Sequence, residues 1–559
     1  MLGLSPWIAI LVVLVAAALV RLMPAYDASV VERALNSRWA PPIVGALSGV
    51  LLLWMWGSLD RTPVIHDESA YLLQAELFAR WRWTGVAPPI AAFFEQPHVL
   101  VDGVLASKYP PGNSIILALG ALVGLPGLAV ILANACSGAL MFALARRAAG
   151  AVVALLTWIA WESSFPMDYY HANYMSESVS SLAWLLTWWA IVRWHTDAER
   201  KWLLVAAGAI AWCMITRPLT GVALGIVASI VILVRCKRTR AWRDLLPAAG
   251  VAATILAIVP LWSWRTTGDV RVTPLTAYTK TYLRFDKPGF GASPDERPSD
   301  RLPPDQQRLE TAFYGYHVRH TLAALPRIAW LRLTMLDRDE WYEWRGGLRL
   351  FALVGLFALT AEGWIVLAAF AAQFVLYLAY AHPAWWTMYY VECMPVLAFL
   401  IALGVVRALA LLDAPRRTTA GLAVAAVGLV AVGAVTRQVR ATIADDHAYY
   451  DAFARLVAQL PDERAVVFVR YGPKHLDGMG LVRNVADLDR ERVWSVYDRG
   501  ADDARLIAVA PGRTPYLFDE QSWTLRPLPG VEASRRSVPR AIERGLASTP
   551  GDRPPPKRQ

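Results

Sequence analysis

The stretch RPLTGVALGIVASIVILVRCKRTR, residues 217–240, decides what kind of protein this is. From Leu219 to Arg235 it is almost wholly apolar, within the roughly 17–25 residues that carry a helix across a bilayer. An Arg-Pro pair stands at one end. At the other, Arg235, Lys237, Arg238 and Arg240 form the Lys/Arg cluster that marks a cytoplasmic loop. Comparable apolar stretches lie near 6–22, 42–59, 126–145, 150–166, 177–194, 201–216, 245–262, 348–361, 363–381, 392–412 and 418–436. Together they make about twelve spans, the pair around Ala361 being joined by a very short turn. The first has neither a basic leader nor a small-residue cleavage site, so it reads as a retained span rather than a removable signal peptide.

Composition agrees. Of 559 residues, 56% are hydrophobic and 18% charged, against about 25% charged in soluble domains. The 25 tryptophans suit a protein with many membrane–water interfaces. A disordered chain, a collagen and a small disulfide scaffold are excluded. Cys136, Cys213 and Cys393 lie in apolar runs and Cys236 just after one, so they read as inert thiols. The net charge of +10 is spread as short clusters between apolar runs, not as a nucleic-acid-binding stripe.

The basic clusters also give an orientation. Arg21, Arg33 and Arg38, then Arg146 and Arg147, Arg200 and Lys201, the cluster after residue 234, and Arg416 and Arg417 fall on one face, expected to be cytoplasmic. Both termini and three long segments are then expected outside: 60–112, 263–347 and 437–559. In the first, Glu68–Trp83 has the spacing of an interfacial amphipathic helix. The second is polar and Pro-rich around Phe290–Pro304. In the third, a helix over Ala448–Leu460 precedes short β-rich runs at Ala465–Tyr471, Arg492–Tyr497, Leu506–Ala510 and Tyr516–Phe518. The fold class expected is therefore a polytopic α-helical membrane protein with a small outward-facing α/β C-terminal domain. Its divisions are an extra N-terminal span and loop (1–41), a membrane core (42–436), an outer domain (437–529) and a disordered basic tail (530–559). No internal repeat is evident.

Polar clusters gather at the outer ends of the spans. His66-Asp67-Glu68 opens the first outer loop. Its acids read either as residues favoured at a helix N-terminus or as a base, Asp67, with Glu68 orienting the site. A metal-ligand reading of the trio has no fixed-spacing motif behind it. Lys108-Tyr109-Pro110-Pro111-Gly112 closes the same loop: the prolines set the chain's entry to the next segment, while Lys108 is either a phosphate ligand or a snorkelling side chain. Asp168 and His171 are loop residues or site residues; Glu177, which opens a span, is a helix-start acid or a functional carboxylate. Arg217-Pro218 puts a cation on the face where few are expected, to bind an anion or to pair with a carboxylate. In Trp385–Pro395 an aromatic belt explains the tryptophans; Tyr389 and Tyr390 could also hydrogen-bond a phosphate or sugar, and Glu392 is a further polar candidate.

In this order and on one face, these elements resemble the GT-C superfamily of membrane glycosyltransferases, closest to protein O-mannosyltransferases and lipid A aminoarabinose transferases. The motifs are Asp67-Glu68, Lys108 to Pro111, Glu177, Arg217-Pro218 and Tyr389 to Pro395, within roughly residues 42–436. The resemblance implies Asp67 as catalytic carboxylate and Lys108 as ligand of a lipid phosphate. Arg217 stands where the family often has a phosphate-binding cation, and Glu177 where those relatives usually carry Asp. The first span is an addition to the family pattern.

The function expected is sugar transfer from a polyprenyl-phosphate donor to a glycan, lipid or protein acceptor. It takes place on the periplasmic or extracellular face of the plasma (inner) membrane, with inversion at the anomeric carbon. No cofactor is required, and no motif indicates a divalent metal; no nucleic-acid partner is expected. The alternative is a lipid-linked-oligosaccharide flippase or other transporter, which would place its ionisable residues near the bilayer midplane. The outer C-terminal domain is expected to select the acceptor.

Overall fold

The computed structural model describes residues 7–22, 28–340 and 345–528. The tail expected to be disordered, 530–559, lies outside the described residues. The protein is a polytopic α-helical membrane protein. Every stretch read as a span contains a helix, from Ile8–Leu22 through Gly127–Ala149, Glu177–Asp197 and Pro218–Thr239 to Met394–Ala408 and Ala414–Ala458.

Among the described residues, five helices are long and apolar enough to cross a membrane, or six counting the pair Ser29–Asn36 and Ala40–Trp56, bent by 82°. Others are shorter because local chemistry stops them. Ala151–Glu162 ends where Phe165-Pro166 starts a separate short helix, since proline cannot continue the ladder before it. An apolar helix at Pro111–Ala121 also follows the Pro-Pro pair, where no span was expected. Small residues let the helices approach closely: a Cβ on Gly404 would lie 1.8 Å from the Phe351 carbonyl oxygen, and one on Gly355 1.9 Å from that of Leu400.

The last helix, Ala414–Ala458, is continuous over 45 residues. At 1.5 Å per residue it is about 67 Å long, roughly twice the hydrocarbon thickness of a bilayer. The segment read as a separate helix at Ala448–Leu460 is largely its far end. Beyond it lies a four-stranded sheet built from β3 (Ala465–Arg470), β4 (Val493–Tyr497), β5 (Thr514–Asp519) and β6 (Thr524–Pro527), in the order β4-β3-β5-β6. The first three strands are parallel and β6 runs antiparallel to β5. Leu506–Ala510, expected as a strand, mostly falls in a short helix, Asp503–Val509, which is the crossover that two parallel strands require.

Both faces of the sheet are covered, and this positions the site. Along β3, Val467 and Val469 point toward Tyr450, Phe453 and Leu456 of the long helix, while Val466 and Phe468 point toward Phe93, Phe94 and Leu73 of the first long loop. The alternation follows from the two-residue period of a strand. Asn484 fastens the second contact: its Nδ2 donates to the Phe94 carbonyl at 2.8 Å and its backbone N–H to Gln96 Oε1 at 2.7 Å.

The first loop departs from expectation as well. Its helix, His66–Ala79, does not lie on a bilayer surface with one face wet: Tyr71, Leu73, Gln74, Ala75 and Leu77 are all buried. It is wedged between the sheet and the membrane helices. The loop also carries a small antiparallel pair, β1 (Val99–Leu100) and β2 (Ala106–Ser107), which sets His98 opposite Lys108. The segment 263–347 contributes the helices Pro274–Tyr282, Pro304–Arg319 and Leu325–Glu340.

Candidate active site

The site forms where three chain segments meet: the start of helix His66–Ala79, the Lys108–Gly112 element and the Arg217-Pro218 turn. Glu68 makes the first of these rigid. It is the third residue of its helix, and its Oε1 accepts from the N–H of Ile65 at 3.0 Å and of Val64 at 3.2 Å. Its Oε2 accepts from Tyr174 N at 3.1 Å. Burial pushes this carboxyl above its ordinary range and the backbone donors partly offset that. Glu68 therefore caps a helix and ties it to the segment before Glu177, while the adjacent Asp67 is left 28% exposed.

Asp67 Oδ1 accepts a hydrogen bond from Tyr109 Oη. Tyr109 is itself held by a stacked contact with Tyr71, with centroids 4.4 Å apart, and by its carbonyl accepting from Gln74 Nε2 at 3.0 Å. The Lys108–Gly112 element thus docks on the helix that carries Asp67. Gly112 lets the same element reach the third segment, since a Cβ there would stand 2.4 Å from Thr216 Oγ1.

Lys108 is buried, at 5% exposure. Its Nζ lies over the rings of Tyr109 and Tyr278 and 3.4 Å from Asp286 Oδ2. Asp286 also accepts from Tyr380 Oη at 2.9 Å. Burial would raise the Asp286 carboxyl, but Lys108 and the Tyr380 hydroxyl outweigh it and hold it below the usual range. Glu310, on the next helix, is pushed up to about 8 by burial, with Lys108 opposing. At neutral pH it is mostly protonated and leaves the lysine's charge to Asp286.

Arg217, read as a cation that binds an anion or pairs with a carboxylate, is placed beside two carboxylates. Its Nη1 is 3.3 Å from Glu177 Oε1, 3.2 Å from Glu392 Oε1 and 3.1 Å from the Met388 carbonyl oxygen. Glu392 is further held by Ser180 Oγ at 2.6 Å and Gln373 Nε2 at 2.9 Å. The guanidinium lies over the Tyr389 ring, 5.5 Å from its centroid. Glu177 is thereby a partner of Arg217, reached through the start of its own helix.

Tyr389 connects the halves, its ring 5.8 Å from that of Tyr380, the tyrosine that donates to Asp286. Tyr390 turns away, fully buried, with Oη 3.4 Å from His382 Nε2. His171 is bound elsewhere: its ring nitrogens meet the Met167 carbonyl at 2.7 Å and Ser181 Oγ at 3.3 Å. Asp168 is buried near Glu162, and burial holds its carboxyl well above the ordinary range. His66 faces the sheet side, where Gly480 makes room for its ring. Among the described residues no group of three or more His, Cys, Asp or Glu is placed to hold a metal ion.

The sequence reading missed Tyr109 as an Asp67 partner, His98, Asp286, Tyr380 and Glu310. Tyr109 sat inside a quoted motif. The others belong to stretches with no fixed spacing to the motifs, and only folding brings them in.

Comparison with known proteins finds the same resemblance as the motifs. The family described as dolichyl-phosphate-mannose-protein mannosyltransferase matches residues 108–264, from Lys108 past the Arg217-Pro218 turn. No curated protein sequence matches the chain. Among solved structures, ArnT from Cupriavidus metallidurans in the apo state is 17% identical with a TM-score of 0.49, over 85% of this chain and 93% of that one. The same protein bound to undecaprenyl phosphate is 15% identical with a TM-score of 0.48, over the same shares. Arabinosyltransferase EmbB from Mycobacterium smegmatis is 14% identical with a TM-score of 0.37, over 71% of this chain and 33% of that one. The chain resembles the GT-C superfamily of membrane glycosyltransferases.

Proposed function

We propose that this protein transfers a hexosyl or pentosyl group from a polyprenyl-phosphate-linked sugar to an acceptor, with inversion at the anomeric carbon. The observation that carries this reading is the joining of Asp67 to the Lys108 element through Tyr109. A carboxylate able to take a proton meets the hydroxyl of one tyrosine, and a buried cation able to meet a phosphate lies over that tyrosine's ring. The match of residues 108–264 to a dolichyl-phosphate-mannose-dependent family supports the donor class.

In the proposed step Asp67 takes the proton of the acceptor hydroxyl as its oxygen bonds to the anomeric carbon. The bond from that carbon to the phosphate oxygen breaks, and the electron pair leaves with the lipid phosphate. Lys108 stabilises the developing charge, turning from Asp286 toward the leaving group, while Arg217, paired with Glu177 and Glu392, supports Tyr389 from behind. One displacement suffices, so no covalent sugar–enzyme intermediate forms. The phosphomonoester leaving group places no requirement on a metal.

The sheet packs on the loop that carries Asp67, which supports placing the C-terminal domain and the site on one side of the membrane. We assign that side to the periplasmic or extracellular face of the plasma (inner) membrane from the Lys/Arg clusters, with about twelve spans counting the shorter apolar helices. The domain's place against the loop suits acceptor selection. The division into an N-terminal span, a core over 42–436 and an outer domain over 437–529 is part of the same proposal. The test is to incubate purified protein with a panel of polyprenyl-phosphate sugars and follow released polyprenyl phosphate by mass spectrometry. Release that requires Asp67 supports the reading; no release from any donor favours a transporter.

A further inference from the structure

His98 is the residue in this site that folding has paid to hold in place. Its backbone φ is +67°, in the left-handed region that is strained for a residue carrying a side chain. Strain of this kind persists only where the surroundings over-determine it, and it collects at functional sites. Here the surroundings are visible. The His98 N–H donates to Tyr278 Oη at 2.9 Å, and its carbonyl accepts from the Lys108 N–H at 2.9 Å. Its ring packs edge-on to Tyr109, centroids 5.5 Å apart, and tilts against Tyr278 at 6.1 Å. The product of this arrangement is a ring whose Nε2 stands 3.6 Å from Asp67 Oδ2.

We propose that His98 is a positioning residue for Asp67: Nε2–H donates to Oδ2 while Tyr109 Oη donates to Oδ1, fixing the plane of the carboxylate so that its remaining lone pairs meet the acceptor hydroxyl. The separation is longer than a hydrogen bond, and such contacts commonly tighten once substrate is in place. Burial, then the charge of Lys108, hold the imidazole well below its usual range, with Asp286 opposing; the ring is neutral at pH 7 and carries one N–H. Its other nitrogen, Nδ1, is buried with no hydrogen-bond partner. A histidine tautomer is normally set by what the second nitrogen bonds. In His98 nothing on the Nδ1 side competes, so Asp67 alone draws the proton to Nε2. The role rests on the proposed reading of Asp67 as the base.

Two measurements on the full-length protein in nanodiscs test it. The first is ¹⁵N NMR of histidine-labelled protein, with His98 assigned by the signals lost in His98→Asn. Wild type should show the Nε2–H tautomer, and Asp67→Asn should shift or mix the His98 nitrogens; identical signals in the two proteins would overturn the pairing, whatever the enzyme's substrate. The second compares His98→Gly and His98→Gln with the donor that gives release in the panel. Glycine accepts φ +67° freely, which offsets part of the packing lost with the ring, so His98→Gly should remain folded. It should still lose about 10–100-fold in kcat, the cost of a misplaced catalytic group, with KM for donor within about 3-fold. His98→Gln, which keeps an N–H at the reach of Nε2, should recover part of that loss. Wild-type kcat in His98→Gly sinks the proposal while Asp67→Asn remains inactive. Full activity in Asp67→Asn instead sinks the base assignment, and the ¹⁵N comparison still reports the pairing.

Discussion

Two cation–carboxylate groups lie in one site and are built for opposite ends. Arg217 with Glu177 and Glu392 is sealed, with side-chain exposures of 7%, 1% and 0%, and Glu392 is tied further to Ser180 and Gln373. The other group, around Asp67, His98, Lys108 and Asp286, keeps side-chain exposures of 28%, 15%, 6% and 15%. Its members are held by tyrosine hydroxyls and ring faces rather than by a full set of charged partners. A sealed triad loses heavily if one member is removed, because the others remain charged and buried. A partly open group can exchange one partner for a substrate. The first is suited to holding helices Glu177–Asp197, Pro218–Thr239 and Met394–Ala408 together, the second to chemistry.

The largest effect expected is on the sealed group. Arg217→Ala should destabilise the protein by about 3–5 kcal/mol, seen as a fall in melting temperature and in yield of folded protein. Combining it with Glu177→Gln and Glu392→Gln, which removes the three charges together, should recover much of the loss. A well-folded Arg217→Ala protein with wild-type stability and impaired donor binding would erase the contrast and return Arg217 to the phosphate.

Next comes Asp67→Asn, which should cut sugar transfer by about 10²–10⁴-fold with no change in melting temperature. A folded variant with near-normal turnover would leave the open group without its base. Lys108→Ala should be milder, about 10–100-fold in kcat/KM for donor, and part of its effect on stability should vanish in the double variant with Asp286→Asn, where no carboxylate is left unpaired. Equal destabilisation of the single and double variants would show that the two side chains do not act as a pair.

A last effect concerns pH. Burial holds the Glu310 carboxyl at about 8, with Lys108 opposing, so the folded protein keeps a proton that the unfolded chain releases near pH 4.5. Stability from this group is fully present below pH 4.5 and is lost as pH rises toward 8. Glu95, raised to about 7 by burial despite its hydrogen bond from Tyr282, adds the same sign. Glu310→Gln should therefore flatten, without abolishing, the fall in melting temperature between about pH 5 and pH 8. An unchanged slope would mean that Glu310 is ionised in the folded protein.

Much of the helical architecture was legible because bilayer crossing demands a long apolar run, and a run is a property of consecutive residues. Helix length was less legible: Ala151–Glu162 stops at a local break inside an apolar stretch, and Ala414–Ala458 runs on through polar residues because the sheet packs on its far end. The helix at Asp503–Val509 was read as a strand because a short apolar run carries too few residues to separate a two-residue period from a 3.6-residue one.

In the site, the residues within compact motifs were visible as candidates: Asp67 beside Glu68, Lys108 before two prolines, Arg217 before another. Their partners were not. His98 and Asp286 sit in stretches without a repeating pattern, and Arg217 meets Glu392 from a distant part of the chain. The amino-acid sequence by itself determined that the chain enters a membrane, where its long apolar helices form and which side chains could do chemistry, because hydropathy and helix-stopping residues act locally. Only the tertiary structure decided which of those charges is sealed into a triad and which is left open. That outcome depends on the burial and the neighbours each group finds when distant segments pack, and those set the cost of every charge.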